Sequence, residues 1–556
     1  MKTSKPLPAN GLPTSNFIVG YKDIFRRPAP SDRLSLISKM SKDIIIGEIA
    51  ALNYRLKPKK SKTIDINFST QRRELFNFCG RDQNMFNDYG RALDNVTGGK
   101  KSFIFTRQTC LFALEEIIQS NMSNVDGFRL SNENNWDLLL QYLLSVNDEI
   151  TKIKDNDENE PIDFETLNPK LIPISELLLY VDPFFTVHRG WELMDFLTRQ
   201  SKTKGYILEY FKSTYNLTIK EFIHELHRMW IANNNKSADL DFYYTLRENE
   251  KYVAFFNKFS EKFETTDTFK LLNIRKNPFF KRDKNNFMLL DISILLEKAY
   301  QQFINDFYFD FLRNKQLSNG SPFTMQDYKA IIGYFFEDYI EKNLRYSFND
   351  HRNFVLRTFD QLKIKIDKKL IECGDVYLRN HNRIMLAEVK STSIYDKEKY
   401  SGNISELYKS NRAKFFKDFG IDQLVNNIKS FKRNFTDIDV NIIEHQTLRI
   451  WPVIIFNERS LQTPFMAHIF NKRFSELMNG YDDKSNYVYP LTLLHVSDLE
   501  NMEHILKSRP GKLFELLTYN FSQKYKIIPP FYNTLNRHDI RPNYTRVMKK
   551  ARLLFE

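Results

Sequence analysis

The chain of 556 residues carries 82 Lys and Arg against 69 Asp and Glu, a formal net charge of +13 at pH 7. With 42% apolar residues, 14% aromatics and only 17 Gly and 19 Pro, it is neither collagen-like nor wholly disordered, and it is long enough for several packed domains. Cys79, Cys110 and Cys373 lie far apart without C-x-x-C spacing, which excludes a disulfide scaffold or a cysteine zinc knuckle and fits a reducing cytoplasm. The longest apolar stretch, from Ile44 to Leu52, contains Glu48 and falls well short of the roughly 20 residues a membrane span needs. The opening MKTSKPLPANGLPTS holds no apolar signal core, so the expectation is a soluble cytoplasmic protein with no membrane partner. The positive excess favours a polyanionic partner, nucleic acid above all.

Residues 1–30, with KPLP, GLP and RRPAP, read as a flexible arm. Residues 31–155 read as a mainly helical N-terminal domain. Ser31-Asp32 opens an apolar-periodic run to about Tyr54, LKPKKSKT (56–63) is a basic link, and TRQTCLFALEEIIQS and NWDLLLQYLLSVNDEI continue the helical pattern. The acidic, Pro-terminated KDNDENEP (154–161) marks a boundary. A second helical domain follows over 165–320, interrupted by the basic IRKNPFFKRDKNN (274–286) and resuming as one helix in LLDISILLEKAYQQFINDFYFDFL. No fixed-period repeat is present. After about residue 320 the β-type runs FVLRTF, LKIKI, LIECGDVYL, RIMLAEVKS, LRIWPVIIF and YVYPLTLLHV appear, interleaved with helical stretches. That pattern predicts a mixed-sheet α/β domain over 324–500, with 501–556 as a helical, basic extension. The fold class expected is α+β or α/β and multidomain, a long helical region followed by the sheet domain.

Several tempting motifs fail. TGGKKS (97–102) lacks the upstream Gly and the hydroxyl after Gly-Lys of a phosphate-binding loop. His224 and His227 stand three residues apart rather than the four of helical zinc hydrolases. No dinucleotide fingerprint or serine-hydrolase elbow occurs.

The informative stretch is IECGDVYLRNHNRIMLAEVKSTS (371–393). If His381-Asn382 forms a two-residue hairpin turn, cross-strand partners have numbers summing to 763. Asp375 then faces Glu388 with Cβ atoms about 5 Å apart, and Lys390, two residues on, projects from the same face. Two carboxylates so placed repel unless a cation lies between them. Mg²⁺, with Mn²⁺ as an alternative, would resolve the conflict, polarise a phosphoryl oxygen and lower the pKa of a bound water. An adjacent lysine would stabilise charge on the phosphate. Upstream, Thr324 and Asp327 form a capping-box start to a helix whose apolar face is bordered by Glu337, with Glu341 one turn away as a substitute. Downstream, GIDQLVNNIKSFKR places Ile421, Leu424, Val425, Ile428 and Phe431 on one helical stripe with Gln423 beside it. Lys429, Lys432 and Arg433 on that helix, and the cluster Lys409, Arg412, Lys414 and Lys417, offer phosphate contacts. So does the C-terminal set Arg537, Arg541, Arg546, Lys549, Lys550 and Arg552, each cluster reading equally well as a solvated face.

A helix with Glu337, then Gly-Asp at 374–375, then Glu-Val-Lys at 388–390, then a helix bearing Gln-Leu at 423–424 resembles the PD-(D/E)XK nuclease superfamily, the restriction-endonuclease-like fold. Asp327-Tyr-Lys329, Asp367-Lys-Lys369 and Asp482-Asp-Lys484 also fit D-x-K, but only 388–390 has the apolar strand context and the partner Asp in register. The resemblance covers residues 324–500. It implies an α-β-β-β-α-β core that cleaves DNA, less often RNA, with Asp375, Glu388 and Glu337 at the metal, Lys390 as catalytic lysine and Gln423 positioning substrate or water. Gly374 replaces the Pro of the motif name, and no Tyr follows Gln423 at the spacing of the RecB-like branch. The expectation is a Mg²⁺-dependent endonuclease, the effector of a bacterial defence or restriction-type system. Its helical region would take up a protein partner or a second copy of the chain. The alternatives are a nucleic-acid-binding sensor or scaffold with an inactive nuclease fold, and a ribonuclease toxin.

Overall fold

Helices dominate the first 350 residues of the computed structural model and a mixed sheet organises the remainder. It describes residues 17–56, 68–79, 82–97, 102–130, 133–152, 175–177, 179, 182–234, 242–247, 250–261, 263–266, 268, 271–366, 369–391, 412–442, 447–463, 465–479, 486–522 and 527–555. Most of the arm, the link 57–63, the acidic segment 154–161 and Lys409 lie outside them, as do the side chains of Arg412, Lys414, Lys432 and Arg433.

The run expected to be one helix from Ser31 to Tyr54 is two elements, a 3-10 turn at Arg33–Leu36 and an α-helix at Lys42–Arg55. Serines break it. Ser35 and Ser38 donate their hydroxyls to the carbonyls of Asp32 and Ser35, a local alternative to the helical ladder. The interruption expected at 274–286 contains structure of its own. Strands Phe279–Lys281 and Asn286–Leu289 form a hairpin that Tyr243–Thr245 extends to three antiparallel strands. Asp283 closes its turn by accepting from the backbone of Asn285 and Asn286. Beyond the hairpin the expected single helix is again two, Ile292–Glu297 and Gln301–Asp310. The first is capped by Asp291, which accepts from Ile294 N–H and also binds Arg107.

The C-terminal part has a mixed six-stranded sheet. Helix α1 (Met325–Phe348) starts at a capping box between Thr324 and Asp327. Strands β1 (Phe354–Thr358), β2 (Val376–Asn380) and β3 (Arg383–Lys390) form an antiparallel meander. Helix α2 (Ile421–Ile438) then crosses to β4 (Leu448–Phe456), which pairs parallel with β3. Two short strands, β5 (Asn486–Val488) and β6 (Thr492–His495), share the far edge of β4, with α3 (Met466–Met478) before them and α4 (Val496–Ser508) after. The run Leu370–Leu378, read as one strand, is broken. Lys369–Glu372 pairs with Lys363–Ile366 as a separate ribbon, and only from Val376 does the chain join the sheet. The bend sits at Gly374, whose φ of 117° is open to glycine and strained for other residues.

β4 is buried on both faces, as its near-continuous apolar sequence requires of a central parallel strand. Pro452 in its middle has no N–H to pair, and the ladder on the β5/β6 side is interrupted opposite it, between Ile450–Val488 and Val453–Thr492. One face of the sheet, with Val376, Leu378, Met385, Ala387, Val389, Trp451 and Val453, shares a continuous apolar core with α1, α4 and the N-terminal helices. The other, with Tyr377, Ile384, Leu386, Ile450 and Ile454, packs under α2 and α3.

A buried charge network fixes the first contact. Arg189, on the helix Pro183–Arg199, donates from Nε and Nη2 to the two carboxylate oxygens of Glu500 on α4 at 2.9 and 3.0 Å. Tyr339 of α1 donates to the same carboxylate at 2.7 Å. Glu500 is fully buried, so removing one partner strands a charge out of water. Arg189→Ala is expected to cost about 3–5 kcal/mol of unfolding free energy. The apolar pair Arg189→Met with Glu500→Leu should cost markedly less, both read from urea midpoints.

Candidate active site at the β2–β3 hairpin

The site begins with the hairpin register. Arg383 pairs with Asn380, Met385 with Leu378 and Ala387 with Val376, so the partner numbers sum to 763 as the sequence predicts. The left-handed turn residue is His381, φ 57°, rather than the neighbouring asparagine, which instead donates its side-chain amide to the carbonyl of Thr447. The ladder ends one step short of Asp375, whose N–H reaches back to Ala387 O at 3.1 Å. Strand alternation sets Asp375, Glu388 and Lys390 on the face covered by α2.

Those three side chains converge. Lys390 Nζ lies 2.8 Å from Glu388 Oε2 and 3.8 Å from Asp375 Oδ2. It also donates to Gln423 Oε1 on α2 at 2.9 Å. Asp375 Oδ2 accepts from the backbone N–H of Val389 at 2.6 Å. Glu388, with no exposed surface, has its second oxygen bound by the side-chain amide of Asn427. Burial and the facing Asp375 drive the Glu388 carboxyl well above the usual glutamate range, with Lys390 opposing them. Burial works against the Lys390 ammonium, but Glu388, Asp375 and Glu337 outweigh it and hold the lysine above its ordinary value.

Glu337 therefore acts on the site through its charge on Lys390. Among the described residues no group of three or more His, Cys, Asp or Glu has metal-holding geometry. The apolar side chains of α1 pack into the core on the sheet face opposite the one that bears the two carboxylates. Glu341, the substitute, is engaged by Arg345 Nε and Thr358 Oγ1, each at 2.8 Å. The pair of hard carboxylate oxygens, against which Lys390 Nζ now stands, suits Mg²⁺ by donor chemistry, since proteins commonly hold that ion through one or two carboxylates.

Two further residues carry no sequence signal of their own. At Gly420, φ 79°, a Cβ would stand 2.3 Å from Lys390 Cε, so the lysine stem crosses bare backbone there. Asn427 lies one turn after Gln423, a spacing that could have drawn attention to it once Gln423 was singled out. The C-terminal basic set is partly turned inward. Arg546 pairs with Glu503 and Asn343, and Lys550 with Glu192, so neither faces outward as a free phosphate contact. Lys429 donates to the carbonyl of Leu477. No helix among the described residues is long and apolar enough to cross a membrane. Comparison with known families, curated proteins and solved structures finds no match for this chain.

Two outcomes follow from this geometry. Gly420→Ala should cost about 1–2 kcal/mol through its left-handed backbone alone and more by displacing Lys390. Gly511→Ala, where a Cβ meets nothing, is the matched control in the same denaturation series. The second concerns pH. The folded chain holds the Glu388 proton more tightly than the unfolded chain does. That stabilisation is complete below the ordinary glutamate range and is lost as pH rises through the elevated value. Without divalent metal, the urea midpoint should fall between about pH 5 and about pH 8 more steeply than in Glu388→Met, whose slope lacks this contribution.

Proposed function

We propose that the region around residues 324–500 is a Mg²⁺-dependent nuclease domain that hydrolyses phosphodiester bonds, with DNA as its substrate. The observation that carries this reading is a lysine held between two buried, facing carboxylates and an amide from the covering helix. Glu388 has no exposed surface and faces Asp375, so its carboxyl must either keep its proton, as its raised pKa provides, or face a further cation beside Lys390. The element order helix, three antiparallel strands, helix and parallel strand supports the same reading, as does the net charge of +13, which draws a polyanion towards an acidic centre.

In this reading Asp375 and Glu388 hold the metal. When bound, Mg²⁺ supplies Lewis-acid polarisation of a phosphoryl oxygen and a water of lowered pKa. Lys390 brings a fixed positive charge to the phosphate as its negative charge grows. Gln423 positions that ammonium, and Glu388 and Asp375, with a smaller contribution from Glu337, keep it protonated. Water adds to phosphorus, the bond to the leaving sugar oxygen breaks, and that oxygen takes up a proton.

Incubation of plasmid, single-stranded DNA and RNA with Mg²⁺ tests the reading. Cleavage of DNA by the wild type is expected, with losses of at least about 100-fold in Asp375→Ala, Glu388→Ala and Lys390→Ala. Gln423→Ala should lose less, about 10-fold. Cleavage of RNA alone replaces DNA as the substrate, and no cleavage of any of the three by wild type overturns the assignment.

A further inference from the structure

Helix α2 presents two amides, one turn apart, to Glu388 and Lys390 of β3. Gln423 offers its carbonyl oxygen to the Lys390 ammonium, and Asn427 offers its amide nitrogen to Glu388 Oε1. The spacings match: four residues of helix rise about 6 Å and two residues of strand about 6.6 Å. The orientation of each amide is dictated by its partner, since an ammonium only donates and a carboxylate only accepts.

Asn427 is held at its backbone, whose carbonyl accepts from the Cys373 thiol at 3.7 Å, while its side-chain nitrogen faces Gly374, where a Cβ would stand at an ordinary contact distance of 3.8 Å. Any side chain at 374 would also come within 3.9 Å of Glu388 Oε1. The bend at 373–374 and the amide of Asn427 thus form one cradle around a single carboxylate oxygen.

We infer that Asn427 is a positioning residue that ties down Glu388 Oε1 and so turns Oε2, which accepts from Lys390 Nζ at 2.8 Å, towards Asp375 as the one oxygen this glutamate can share with a metal ion. Glu388 would then bind the metal through one oxygen only. Without the amide the carboxylate rotates about its terminal torsion, which is broad and soft, and the ligand set loses its preorganisation. The inference rests on the nuclease reading above and adds to it a residue that touches neither metal nor substrate.

The test uses the full chain, stripped of divalent ions, with Mn²⁺ as the probe and binding followed by electron paramagnetic resonance. Asn427→Leu removes the donor at similar volume and should weaken Mn²⁺ binding about 10- to 100-fold, the range for outer partners of metal ligands. Asn427→Gln, which keeps a donor on a longer arm, should recover part of it. Gln423→Leu strips the amide from Lys390 instead; it should slow turnover yet leave Mn²⁺ affinity within about threefold, which general damage to α2 would not do. Asn427→Ala carries the same comparison if the leucine variant unfolds. Wild-type affinity in both the leucine and alanine variants, with binding abolished in Glu388→Ala, overturns the inference and leaves the metal site standing. Mn²⁺ binding indifferent to Asp375→Ala and Glu388→Ala overturns the nuclease reading itself.

Discussion

Two carboxylates withdrawn from water and turned towards each other are the least comfortable feature of this molecule, and much of the C-terminal half is arranged around them. Bringing Asp375 opposite Glu388 costs desolvation twice and adds like-charge repulsion. Lys390 supplies one compensating charge, the Val389 N–H caps one oxygen of Asp375, and Asn427 caps one of Glu388. Each compensation demands something of the chain. The lysine stem needs Gly420 without a side chain, and the bend into β2 needs Gly374 at a positive φ. Asn427 needs α2 seated over the sheet by Leu424, Val425 and Ile428.

The N-terminal helices enter this arrangement at second hand. They share the apolar core on the opposite face and grip α1 and α4 through the Arg189–Glu500–Tyr339 contacts. Tyr339 stands two residues from Glu337, so the same helix carries the buried anchor on one side and the charge that acts on Lys390 on the other. The position of that charge is therefore tied to how well the helical region is packed.

What could be read from the sequence was what depends on neighbours close along the chain. The hairpin register, the common face of Asp375, Glu388 and Lys390, the start of α1 at Thr324 and the stripe of α2 follow from turn chemistry and periodicity. The failures share a different cause. Leu370–Leu378 looks like one strand because its pattern is unbroken, and only the backbone at Gly374 reveals two. Which sheet face α1 covers is set by contacts far along the chain, and no local pattern encodes that. The small sheet joins the hairpin of Phe279–Lys281 and Asn286–Leu289 to Tyr243–Thr245, some way back along the chain, where periodicity has nothing to say. Asn427 lay in plain view on a stripe read for its apolar members.

The local origin of the charged trio also bears on how the chain folds. Asp375, Glu388 and Lys390 belong to one hairpin with a two-residue turn, which closes with little loss of chain entropy. The parallel pairing of β3 with β4 must instead wait for a long crossover, the slower kind of contact to form. During synthesis the hairpin leaves the ribosome before α2 and β4 do. Its carboxylates stay hydrated and far apart in energy from their final state until that helix lands. Closure of the crossover is thus the step at which the acidic pair is dehydrated, and a divalent ion present at that moment would favour folding as well as chemistry.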